Sequence, residues 1–138
     1  NIDWHMCFHF FSLGICHCHT GDLIKAIDLM EEAYRLADNS QERHYAGKSL
    51  IWLGRLTGLA DSHKKNEAIE YIQRVLKNLS ALQTKPDVSI AHLFLGEIYW
   101  SQGSENKAAG FLKHAAVKFE EMGMDSWLDK TQEILEQL

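Results

Sequence analysis

A leucine–glycine pair, followed some twelve to fourteen residues later by an alanine and then by a large apolar residue, occurs three times in this chain. Leu13-Gly14 precedes Ala26 and Met30, Leu53-Gly54 precedes Ala68 and Ile72, and Leu95-Gly96 precedes Ala108 and Leu112. Glycine in a helix interior costs about 1 kcal/mol against alanine, so each of these glycines needs a packing reason. Close approach of a second helix, with the alanine opposite the glycine, supplies one. The clearest copy lies in the stretch 89–121, where Leu95-Gly96, Tyr99, a Gly103-Ser104 break, Ala108, Leu112 and Ala115 describe two antiparallel helices that cross closely. The glycines stand forty and forty-two residues apart. The chain therefore reads as an array of helical hairpins.

Taken in order, the apolar spacing predicts seven helices and no strand. The first, residues 1 to about 19, is apolar on most of its circumference. Trp4, Cys7, Phe8, Phe11, Ile15 and Cys18 share one broad side, with Met6, Phe10, Leu13 and His17 beside it. Such a helix is normally buried. Thr20-Gly21-Asp22 is a turn in which Thr20 or Asp22 can cap a second helix running to about Asp38. Asn39-Ser40 breaks that helix, and Ser40 is placed to cap a third that ends near Leu59. A polar loop at 61–66 precedes a fourth helix, about 66 to 82. Pro86 suits the first turn of the fifth, Gly103 and Ser104 act as stop and cap, and Met122-Gly123-Met124-Asp125 repeats that punctuation. A last helix turns Trp127, Leu128, Thr131, Ile134, Leu135 and Leu138 to one side and polar residues to the other.

Composition narrows the function classes. One proline and nine glycines leave little room for a turn-dense β fold. The net charge is −5 and the cations are scattered, whereas nucleic acid draws a basic stripe. No nucleic-acid partner is expected. No apolar run approaches the roughly 18 residues of a membrane span and no signal peptide is legible, so no membrane partner is expected either. Three cysteines without a regular framework point to a reducing compartment, and so to the cytoplasm.

The recurring unit resembles the tetratricopeptide repeat, a helix-turn-helix with the pattern W-x2-L-G-x2-Y…A-x3-F…P. Phe10, Leu50 and His92 take the Trp place, and His17, Thr57 and Tyr99 the Tyr place. Ala26/Met30, Ala68/Ile72 and Ala108/Leu112 take the Ala-x3-Phe place. No copy carries the closing proline, and the long period fits longer helices around the turn between repeats. The resemblance implies an all-α superhelix forming a single domain over 1–138. Its three hairpins would lie at about 1–39, 40–84 and 85–123, with a capping helix at 125–138. The segment Glu120–Leu128 with its final amphipathic helix also resembles the close of long-repeat regions in bacterial signalling proteins, such as nucleotide cyclases and large signal-transduction ATPases. That implies a fragment of a larger regulator, and a start at Asn1 agrees.

Chemistry-bearing residues concentrate in the first helix. His5 and His9 form an i, i+4 pair with Cys16 further along the same face, a set that could share a metal ion. Zinc, however, wants about four convergent ligands, and Cys16 and Cys18 point roughly 200° apart on a helix. The reading adopted is no metal and no cofactor: His9 and Cys16 would face a preceding repeat, and Cys7 and Cys18 are small core hydrophobes. No phosphate loop, nucleophile elbow or H-E-x-x-H is present, so no enzyme activity is expected. Glu31-Glu32 and Glu120-Glu121 read as solvated charge, and Trp52, Trp100 and Trp127 as core.

In tetratricopeptide repeats the first helix of each pair lines a concave groove. By that resemblance, the first repeat contributes Phe8, Phe11, Ile15 and Cys18, and the second Lys48, Ile51, Arg55 and Gly58. The third contributes Ile90, Phe94, Glu97 and Trp100. Such a groove suits an extended or helical peptide. Ile51 and Phe94 fit a groove and helix packing equally well, whereas Lys48 and Arg55 favour the groove, because unpaired charges are rarely buried. The expected function is a protein-interaction module of a cytoplasmic signalling protein that holds a peptide or partner domain. Self-association through the apolar first helix is a further expectation. The alternative is a sensory domain that binds a small ligand or metal and relays it to an attached output domain.

Overall fold

The computed structural model describes residues 2–78 and 84–138, with side chains from residue 6 onward. The described residues form seven α-helices and one short 3-10 turn, with no strand among them. None of these helices is long and apolar enough to cross a membrane. The chain divides into two compact units, Asn1–Gln83 and Thr84–Leu138.

The first unit contains α1 (Ile2–His19), α2 (Leu23–Asn39), α3 (Arg43–Ala60), the 3-10 turn Ser62–Lys64, and α4 (Lys65–Lys77). Consecutive helices pack in pairs, and α3 also touches α1. Asp22 caps α2 by accepting a hydrogen bond from the Lys25 amide at 3.2 Å. The predicted break at Asn39-Ser40 is present, but Ser40 does not cap α3. Its hydroxyl turns back and donates to the Leu36 carbonyl at 2.8 Å, and α3 begins three residues later. The reason is the closure of α2. Gln41 adopts φ 60°, its amide donates to the Asp38 carbonyl, and the Glu42 amide donates to the Ala37 carbonyl. This is a Schellman closure, and the same bonding ends helices at Gly21, Gly103 and Gly123. The predicted polar loop is ordered as the 3-10 turn, with the Asp61 carboxylate accepting from the His63 amide at 2.9 Å. The expected end of the fourth helix, beyond Asn78, lies outside the described residues.

The second unit contains α5 (Lys85–Ser101), α6 (Glu105–Met122) and α7 (Asp125–Glu136). Pro86 sits in the first turn of α5, as its spacing predicts. Helix α5 packs against both α6 and α7, which explains why Leu93, Phe94, Leu95 and Ile98 are buried around more than one face. The buried Ser89 hydroxyl is satisfied by donating to the Lys85 carbonyl at 2.9 Å. Trp127 of α7 lies beside the rings of Phe94 and Phe119, 6.3 and 6.1 Å between centroids. Buried Thr131 satisfies its hydroxyl on the Trp127 carbonyl at 2.7 Å.

All three hairpins share one contact. A Cβ placed on Gly14 would stand 3.0 Å from Cε of Met30, one on Gly54 2.7 Å from Cγ1 of Ile72, and one on Gly96 2.6 Å from Cγ of Leu112. Met30, Ile72 and Leu112 are fully buried in these notches. Burying such a side chain stabilises by roughly 1.5–3 kcal/mol, more than the roughly 1 kcal/mol that the glycine costs its helix.

Candidate functional site

Helices α1 and α3 bring together part of the groove set named from the sequence. The ring of Tyr45 lies edge-on to Phe8 at 5.8 Å and to Phe11 at 5.9 Å. The Lys48 ammonium sits 5.5 Å from the ring centroids of both Phe11 and Tyr45. Phe8 is 44% exposed, whereas Phe11 is buried. Ile15 and Arg55 are half-buried, and the Arg55 guanidinium covers the Trp52 ring at 5.6 Å. Ile51 is buried, so packing rather than open groove is its observed state.

In the second unit Ile90 and Glu97 are half-buried. Phe94 is fully buried beside Trp127 and does not face a groove. The spacing that would place it on an open inner face also places it under α7.

Among the described residues no group of three or more His, Cys, Asp or Glu could hold a metal ion. His9 and Cys16 are exposed, and the His5 side chain lies outside those described. Cys7 is fully buried, and burial, helped by the Glu42 charge, raises its thiol pKa above the usual value.

Two adjoining cavities of about 370 Å³ each run along α3 between α2 and α4. Tyr34, Leu50 and Arg74 line both. Glu31 and Tyr34 come from α2, Leu50 and Leu53 from α3, and Glu67, Tyr71 and Arg74 from α4. The Tyr71 hydroxyl donates to the Glu67 carboxylate at 3.3 Å. Burial raises the pKa of this phenol, and the charges of Glu67 and Glu31 push it further up against the opposing pull of Arg74. Glu31 is thus an exposed mid-helix residue beside a cavity. Its neighbour Glu32 is held by Arg35, whose Nε donates at 3.0 Å and lowers that carboxyl's pKa.

On the second unit a shallower depression of about 530 Å³ is lined by His92, Phe111 and His114 among others. His92 lies edge-on to His114 at 4.7 Å and stacks on Phe111, which stacks in turn on Tyr99. Burial, then the neighbouring His114, lowers the His92 pKa.

Tyr45, Tyr34, Tyr71 and Arg74 are absent from the residues selected by the repeat resemblance. The available signal was the i, i+3 and i, i+4 spacing of Glu31-Tyr34 and Glu67-Tyr71, which puts an acid and a phenol on one face of each second helix. The chain matches none of the known protein-family models, and no curated protein matches it.

Proposed function

We propose that this chain is a protein-interaction module of tetratricopeptide-like hairpins, carried by a larger cytoplasmic regulatory protein. In this reading the first helix of each hairpin receives a peptide or partner domain, and α7 covers the third hairpin. The cluster of Phe8, Phe11, Tyr45 and Lys48 across α1 and α3 carries the proposal. It offers an exposed apolar edge beside an ammonium group, the combination that recognises an apolar peptide residue near a carboxylate. The repeated glycine notches support the repeat reading, since each hairpin uses the same contact at the same place. Exposed Met6, Phe8 and Leu13 on α1 support self-association through that helix.

Selection from a displayed random-peptide library, followed by amide shift mapping, tests this. Selected peptides should combine apolar anchors with an acidic residue, shift Phe8, Tyr45 and Lys48, and lose about ten-fold or more in affinity in Phe8→Ala and Lys48→Glu. Peptides indifferent to both substitutions would overturn the assignment of this face.

A further inference from the structure

Helix α3 also borders a cavity away from the cluster of Phe8, Phe11, Tyr45 and Lys48. The cavity between α2 and α4 has an aliphatic floor, including Leu50 and Leu53, and two phenol rings, Tyr34 and Tyr71. Three separate elements each bring a carboxylate to it: Glu31 from α2, Asp61 from the turn after α3, and Glu67 from α4. We infer that this cavity receives a basic side chain, an arginine or lysine, from a partner peptide.

The chemistry matches part by part. The methylene stem of a basic residue lies favourably on aliphatic surface while its head group stays polar. A tyrosine face attracts the cation through its quadrupole, and carboxylates bind a guanidinium through charge-assisted hydrogen bonds. Tyr71 already shows the first of these attractions, with the Arg74 guanidinium 5.8 Å from its centroid. Lys64 also lines the space, so three carboxylates face two cations and the balance is negative. Burial is the first cause of the raised Tyr71 phenol, and the charges of Glu67 and Glu31 add to it against the pull of Arg74, so a negative potential reaches the ring. An acidic peptide residue would meet that potential as repulsion.

The test uses the full chain, isotope-labelled, titrated with acetyl-leucyl-arginyl-leucine amide and with its glutamyl counterpart. The arginyl peptide should shift the Tyr34 and Tyr71 ring signals and the Leu50 and Thr57 amides, and the glutamyl peptide should not. Glu31→Gln and Glu67→Gln should each weaken binding about five-fold or more, with helicity unchanged by dichroism. Equal response to the two peptides, shifts confined to other surfaces, or no shift would overturn the inference. The peptide comparison needs no variant, so it stands even where a substitution disturbs folding. Binding here should survive Phe8→Ala and Lys48→Glu, so loss of the face on α1 and α3 and loss of this cavity are separate outcomes.

Discussion

The side chain of Leu112 occupies the space that a β-carbon on Gly96 would need. Both Cγ and Cδ2 of Leu112 lie 2.6 Å from that position, and the Ala108 carbonyl oxygen lies at 3.4 Å. Gly96→Ala should therefore destabilise the protein by about 1–3 kcal/mol through overpacking, despite alanine's better helix propensity. Gly110, with nothing within 4 Å of its would-be Cβ, is the internal control. Gly110→Ala should stabilise by up to about 1 kcal/mol. Denaturant melts of both variants check the pair, and a harmless Gly96→Ala would remove the packing explanation for all three glycines.

Gln41 holds at φ 60° the position that glycine fills at three other helix ends. A residue with a β-carbon pays roughly 1–2 kcal/mol there. Gln41→Gly should raise stability by about 1 kcal/mol after its extra unfolded-state entropy is counted. An unchanged or lowered melting temperature would contradict the strain at this turn.

Trp127 joins α7 to the hairpin through Phe94 and Phe119. Trp127→Ala should cost about 3 kcal/mol, a large share of a typical margin of about 5–15 kcal/mol. Deleting residues 125–138 should raise amide exchange first between Leu112 and Phe119, and later or less around Met30, as expected where stability passes between neighbours. Unaltered melting and exchange after the deletion would mean that α7 is a loose tail.

His92 binds its proton less readily in the folded chain than in the unfolded one. Stability therefore rises with pH across the window between its lowered folded value and the ordinary value of about 6.5. It is lost as the pH falls through that window. His92→Gln should lose less stability than the parent chain on going from about pH 7.5 to about pH 5.5. Parallel slopes for the two proteins would assign the acid sensitivity to other groups.

The hairpins were legible because their signal is local. A glycine, a leucine before it and an alanine at helical spacing declare a close crossing without reference to the rest of the chain, and the Gly96–Leu112 notch is the result. Trp127 could be read as a packing residue for the same reason, since its apolar stripe lies within twelve residues. The cavity beside Tyr71 was not legible. It depends on α2 and α4 packing on the same helix with space between them, which no window along the sequence records. Ile51 and Phe94 show the converse, because helical spacing gives the side of a residue but not what lies on it. Ser40 was misplaced by the positive φ of Gln41, a residue type that gives little warning of it.

Gly54 and Ile72 are two residues further apart in sequence than Gly14 and Met30 or Gly96 and Leu112, yet they make the same contact. The added length is taken up around the exposed 3-10 turn Ser62–Lys64, outside the crossing. Helix register and chain length are uncoupled there. That turn is accordingly where extra sequence could be grafted, a loop or an epitope, with the hairpin closing as before.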